Sequence, residues 1–136
     1  MKISTKGRYG LRAILALARH GDSLVSLSNI AQEENLSLNY LESIFSQMKR
    51  ADLVTGVTGA QGGYRLAQKP SEITAYRVLH VLEGNMSITE QKSSMPPIRQ
   101  YLTKHVWTII DGKVEQILHR VTLQDLLNLA QGKDEV

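Results

Sequence analysis

Asn39, Tyr40, Glu42 and Ser43 put an amide, a phenol, a carboxylate and a hydroxyl within one short stretch of chain. Side chains of these types read base edges: asparagine matches the donor–acceptor pair of adenine, and a carboxylate accepts from the amino group of cytosine. Cations lie on either side. Lys2, Lys6 and Arg8 surround Ser4 at the start, Lys49 and Arg50 follow the polar group, and Arg65 stands further on. Ammonium, guanidinium and hydroxyl groups suit phosphate oxygens. The run Thr58-Gly59-Ala60-Gln61-Gly62-Gly63-Tyr64 adds backbone amides with little side chain in the way, but it lacks the Gly-Lys-Ser/Thr ending of a P-loop. The plainer alternatives make Tyr40 a packing residue and Glu42 a solvent-facing one.

Other chemistry finds little support. The 136 residues include no cysteine, which excludes disulfides, thiolate zinc sites and all-cysteine iron–sulfur clusters. His20, His80, His105 and His119 are scattered, without the tight spacing of a metal site, so neither metal nor cofactor is expected. No Ser/His/Asp or paired-carboxylate pattern suggests an enzyme. A 42% hydrophobic share with 21% charged residues is that of a folded domain. No stretch approaches the roughly 20 apolar residues of a membrane span, and the expected location is the cytoplasm. Residues 1–69 carry nine basic against five acidic residues, while residues 70–136 carry seven against eight. A basic N-terminal half suggests a polyanion, nucleic acid first.

The elements that must position these groups follow from periodicity and caps. Ser4 or Thr5 begins a helix to about His20, with Leu11, Ile14, Leu15 and Ala18 inward. Ser26 or Ser28 begins a second, to Glu34, and Ser37 a third, with Leu41, Ile44, Phe45 and Met48 as its apolar stripe. Leu53 to Val57 and Tyr64 to Leu66 read as a β-hairpin around the glycines. A helix from Thr74 to Leu82 follows, then an aperiodic polar loop ending in Pro96-Pro97. Ile98, Leu102, Val106, Ile109, Ile110, Val114 and Ile117 mark one long helix to about Val121, with a bend allowed at Asp111-Gly112. Thr122 and Asp125 suggest a capping box for a last short helix, and Gly132 to Val136 a fraying tail.

Three helices, a glycine-tipped hairpin and a fourth helix are the order of a winged helix-turn-helix. The fold class expected is therefore mainly α with a small β-hairpin, plus a long C-terminal dimerisation helix. Residues 1–83 form the DNA-binding domain, 84–97 a loop, and 98–131 the dimerisation helix and the last short one. In this arrangement the third helix enters the major groove with Asn39, Tyr40, Glu42 and Ser43 as readers. Lys2, Ser4, Lys6, Arg8, Lys49, Arg50 and Arg65 hold phosphates, and the wing is Thr58, Gly59, Gly62, Gly63 and Tyr64. One chain of this length has little left to cover the long apolar stripe, so a second copy is its natural cover.

Several stretches together resemble the Rrf family of bacterial winged-helix transcription regulators. They are Met1 to Arg12, Ile30-Ala31 through Leu36 to Glu42, Gly62-Gly63-Tyr64, Leu82-Glu83-Gly84, Leu102-Thr103 with Trp107, and Thr122-Leu123 with Leu126. The resemblance implies a homodimer that binds an imperfect palindrome in double-stranded promoter DNA, usually as a repressor. Cluster-binding members carry three cysteines and some a histidine. Their slots fall here within Thr89 to Gln91, at Met95, at Tyr101 and at Lys104, which implies no iron–sulfur cluster. Thr58 stands where relatives often have a wing arginine. The cysteine-free sensor region is closest to the branch that controls cysteine metabolism, which implies O-acetylserine thiol-lyase as an enzyme partner. Residues 85–97 against the long helix, around Tyr101 and Trp107, offer a small ligand or partner surface, unless Trp107 is simply core. The alternative from another class is a protein-interaction subunit that binds a metabolic enzyme, with DNA binding secondary or lost.

Overall fold

Three side-chain caps start three of the helices in the computed structural model, which describes residues 2–89 and 94–132. Ser26 accepts from the Asn29 amide and opens α2 (Leu27–Glu34). Ser37 accepts from Tyr40 and opens α3 (Leu38–Arg50). Thr74 accepts from Arg77 and opens α4 (Ala75–Glu83). Each satisfies one otherwise orphaned N–H of a first turn. The first helix, α1 (Thr5–Ala18), differs: Ser4 is at its N-cap position, but no side chain of its own turn caps it. Asn35 takes the left-handed conformation that turns the chain from α2 into α3.

The apolar stripe of α3 is fully enclosed. Leu41, Ile44, Phe45 and Met48 are each 0% exposed, packed with Ile14 and Leu17 of α1, Ile30 of α2 and Val78 and Leu82 of α4. Strands β1 (Val54–Val57) and β2 (Gly63–Leu66) pair antiparallel, from Val54 opposite Leu66 to Val57 opposite Gly63. The hairpin is tied back to the helices twice. Val25 and Tyr64 exchange backbone hydrogen bonds of 2.9 and 2.8 Å, and the Tyr64 ring lies 5.1 Å from that of Phe45. Residue 63 must be glycine for this, because a Cβ there would meet the Val25 carbonyl oxygen at 2.5 Å.

The long helical rod runs from α5 (Pro97–Leu102) through one π turn (Thr103–Trp107) into α6 (Thr108–Arg120). The irregularity is at the π turn, where the Thr108 amide reaches the Thr103 carbonyl, and not at Asp111-Gly112, which sits inside regular α6. The apolar residues at 98, 102 and 106 explain its place. A four-residue repeat drifts around a helix of 3.6 residues per turn, and the wider π turn takes up that drift. No residue of α5 or α6 is buried, and Ile98, Leu102, Ile109, Ile110 and Ile117 are all exposed, with Val106 and Val114 half-buried.

The chain then returns to the head. The capping box forms as expected: Thr122 Oγ1 accepts from the Asp125 amide at 3.1 Å, and Asp125 accepts from the Thr122 amide at 3.0 Å. It opens α7 (Leu123–Ala130), whose Leu123 joins the core. The Leu123 and Ala75 amides bond to Ile73 and Val121, so the end of the rod is fastened beside α4. The tail at 133–136 lies outside the described residues. No described helix is long and apolar enough to cross a membrane.

Asp111 has a role that its Asp-Gly context concealed. Its carboxylate accepts from the Ile88 amide at 3.0 Å, the Thr89 amide at 3.1 Å, and the Ser87 and Thr89 hydroxyls. Desolvation pushes its pKa upward, but the donors of Ile88, Ser87 and Thr89 outweigh it and hold the carboxyl at about 2, below the ordinary 3.8. A depressed folded-state pKa stabilises above the unfolded value and is lost as pH falls through the folded one. Asp111→Asn is therefore expected to lower stability by on the order of 1 kcal/mol at neutral pH. Thermal unfolding should show the wild-type advantage constant down to about pH 4 and vanishing towards pH 2. Gly63→Ala should cost about 1–3 kcal/mol in the same measurement, because backbone rather than a flexible side chain must yield.

Candidate nucleic-acid interface

Burial of the α3 stripe decides which side chains of that helix face outward. Asn39, Glu42, Ser43 and Ser46, an i, i+3, i+4, i+7 set, share the opposite face, and all four are exposed. Lys49 and Arg50 are exposed in its last turn, where they also suit the negative end of the helix. Residues 39 and 50 are about 16 Å apart along the axis, so polar groups lead and cations trail.

Tyr40 is placed differently from its sequence neighbours. It is half-buried against the core, and its ring meets that of Tyr9 edge-on at 5.9 Å. The Arg12 guanidinium carbon is 5.5 Å from the centre of the Tyr9 ring, and its Nε is 3.2 Å from Glu34. A second Arg12 nitrogen donates to the Glu34 carbonyl. These contacts dock the first half of α1 against the start of α3 and the end of α2. Tyr40 is thus a packing residue in the first turn of α3, as the plainer alternative had it, with part of its surface still open. The cluster escaped sequence reading because its members come from three helices, and aromatic-cation contacts have no linear spacing.

That docking sets Tyr9 and Arg12 of α1 beside the start of α3, directly after the basic N-terminal residues. Lys2 and Arg8 are exposed, Lys6 is half-buried, and the Arg8 Nε donates to the Ile3 carbonyl at 3.3 Å. Ser4 leaves the phosphate set. Its hydroxyl and its amide both donate to Glu83 Oε1, at 2.7 and 2.8 Å, so neither proton is available to a ligand. Glu83 went unnoticed as a functional residue, although it forms part of the Leu82-Glu83-Gly84 signature.

In the wing, Thr58 and Gly59 are exposed at the tip, and the Gly62 amide closes the turn on the Gly59 carbonyl at 3.0 Å. Gly63 and Tyr64 form the anchored base described above, so they hold the wing and do not extend it. Arg65 is exposed on β2, opposite Thr55. Behind the hairpin, Arg77 donates to Gln68 and to the Ala51 carbonyl, both at 2.9 Å, fastening the strand exit to the end of α3. Leu38, missed in the sequence, is 40% exposed in the first turn of α3. Its signal was its position outside the apolar stripe.

Three of the four histidines have partners of other kinds. His20 lies 2.9 Å from Glu33, and the Tyr76 ring stacks with His80 at 5.5 Å and His119 at 3.9 Å. Among the described residues no three His, Asp or Glu side chains are grouped to hold a metal ion. The donor set does not fit an iron–sulfur cluster: Met95, Tyr101 and Lys104 stand at the slots discussed above, and no cysteine exists to replace them. Gln91, at the end of the first slot, lies outside the described residues. Tyr101 is exposed and Trp107 half-buried in the π turn, so Trp107 is not a core residue.

The comparisons with known proteins agree with this architecture. The family described as Rrf2, iron-dependent transcriptional regulator, matches residues 3–129. The HTH-type transcriptional regulator CymR of Bacillus subtilis is 43% identical over 136 residues, covering 99% of this chain and 96% of the relative. IscR of Aliivibrio salmonicida, also an HTH-type transcriptional regulator, is 33% identical over 130 residues, covering 93% of this chain and 77% of the relative. The solved structure of CymR (YrzC), the global cysteine regulator of B. subtilis, superposes with a TM-score of 0.80 at 42% identity, over 93% of this chain and 95% of that one. These relatives are regulators and not enzymes. With the apolar stripe of α3 buried, an anchored wing and a match across nearly its whole length, the chain belongs to the Rrf2 family of winged-helix transcriptional regulators.

Proposed function

We propose that this regulator acts in the cytoplasm as a homodimeric, sequence-specific repressor without an iron–sulfur cluster, on an imperfect palindrome in promoter DNA. The observation that carries the reading is the outward face of α3, polar at its start and cationic at its end, flanked by the basic N-terminus. Asn39, Glu42 and Ser43 read base edges, and Leu38 offers an apolar contact for a thymine methyl. Lys2, Lys6, Arg8, Lys49, Arg50 and Arg65 bind phosphates. The exposed side chains of the rod, Ile98, Leu102, Ile109, Ile110 and Ile117 with Val106 and Val114, are covered by a second copy. The division into a head at 1–83, a loop at 84–97 and a rod with the last helix at 98–131 follows this use, with α7 packed back on the head. A dyad between two heads places the reading helices about 34 Å, or a multiple, apart on one side of the duplex.

Likeness to CymR supports sulfur metabolism as the regulated process, and O-acetylserine thiol-lyase is the enzyme partner to test by pull-down. The absence of cysteine supports control by means other than a cluster.

Duplexes selected from a random pool by the purified protein supply the probe. Affinity should fall with salt at a log–log slope of about −0.9 per phosphate contact. Changing Lys6 and Arg8 together to alanine should weaken all duplexes alike and make the slope shallower by about 2. Association that ignores salt would favour an enzyme-binding subunit instead. Glu42→Ala should alter base preference at one position per half-site, by about 1–3 kcal/mol, when the selection is repeated. Changing Ile109 and Ile117 together to aspartate should yield monomers in sedimentation and abolish palindrome preference; a persistent dimer would refute the rod as the interface.

A further inference from the structure

The N-terminus of α1 is an anion site whose anion the chain supplies itself. Helix N-termini carry unpaired N–H groups and a partial positive charge, and here they meet Glu83 from the last turn of α4. Its Oε1 accepts from the Ser4 amide at 2.8 Å, the Ser4 hydroxyl at 2.7 Å and the Gly7 amide at 3.0 Å. The fit is built from both sides. A Cβ at residue 7 would stand 2.2 Å from that oxygen, and one at residue 10 would stand 2.0 Å from Leu82 Cδ1. Gly7 is buried, so a duplex phosphate reaches its amide only by expelling Glu83. The cations of this end, Lys2, Lys6 and Arg8, are left to meet the duplex.

A second mooring follows within six residues. Gly84, with φ of 74°, ends α4, Asn85 accepts from the Ser87 amide at 2.9 Å, and buried Met86 pins the strap. Residues 87–89 then donate four hydrogen bonds to Asp111 in the first turn of α6. One short strap thus joins the capped end of α1 to the long rod.

We propose that Glu83 is a positioning residue for the phosphate contacts of Lys2, Lys6 and Arg8, and that the strap moored on Asp111 makes its grip on α1 depend on where the rod lies. The proposal rests on the DNA-binding reading only for its consequence, since the latch itself is measurable without DNA. It gives the Leu82-Glu83-Gly84 signature a mechanism: Leu82 fills the notch at Gly10, Glu83 caps α1, and Gly84 releases the strap.

The test is amide hydrogen exchange by NMR on the full chain, for wild type, Glu83→Gln, Ser4→Ala and Asp111→Asn. In Glu83→Gln the Ser4 and Gly7 amides should exchange about tenfold faster, the loss of one charge-assisted bond. Ser4→Ala should speed Gly7 in the same direction and serves if Glu83→Gln does not fold. In Asp111→Asn the Ile88 and Thr89 amides should speed up about tenfold, and Ser4 and Gly7 with them. Ile44 in the core reports global unfolding and should rise only by each variant's loss of stability, about fivefold for about 1 kcal/mol; a rise at Ser4 and Gly7 no larger than that at Ile44 would reduce the effect to general instability and overturn the proposal. Unchanged Ser4 and Gly7 in Asp111→Asn would overturn the coupling to the rod. DNA affinity of Glu83→Gln should fall about tenfold with a shallower salt slope; tighter binding would make Glu83 a competitor of phosphate and refute its positioning role. A wild type that binds no duplex would refute the DNA-binding reading, while the exchange results would still decide the latch.

Discussion

Enclosure of one apolar stripe on α3 governs the molecule. Once Leu41, Ile44, Phe45 and Met48 are out of water, the rotation of that helix about its axis is settled. A helix has only one opposite face, so Asn39, Glu42, Ser43 and Ser46 must point away from the core. The same four apolar residues receive α1, α2 and α4, and Phe45 also receives Tyr64 at the base of the wing. The orientations of α3 and of the wing are therefore set by one packing event. A substitution that loosened it would disturb both together.

Around that centre, polar contacts do the finer positioning. Arg12, Tyr9 and Tyr40 dock α1 against α3, while Arg77 ties the strand exit to the end of α3. Glu83 takes the place of a local cap on α1, using a carboxylate from far along the chain where α2, α3, α4 and α7 use their own hydroxyls. A distant cap makes helix α1 sensitive to its neighbour in a way that a local cap cannot. Local caps hold a turn; this one holds two elements.

The rod follows a different logic. Its apolar residues are exposed although its far end is fastened, where the Leu123 and Ala75 amides bond to Ile73 and Val121. The rod leans on α4 through the Tyr76–His119 stack, yet no residue of α5 or α6 is buried, which leaves an apolar face open to water. Its π turn keeps a four-residue repeat in line, which the seven-residue logic of a regular helix would not. Asp111 then links the rod to the strap without interrupting α6.

Local signals in the sequence were enough for most of the elements. Ser26, Ser37, Thr74 and the Thr122–Asp125 box marked helix starts because a cap is a contact between residues three apart, and the apolar periods marked faces because helical geometry is constant. The exposed polar face of α3 was legible for the same reason. What tertiary structure decided were contacts between residues distant in the chain: Glu83 taking the donors of Ser4, Tyr40 leaning on Tyr9, Tyr64 on Phe45, and Asp111 gathering residues 87–89 where the dipeptide Asp-Gly suggested a bend. Such pairings depend on how elements approach in space, and a linear pattern of residue types carries no record of that distance.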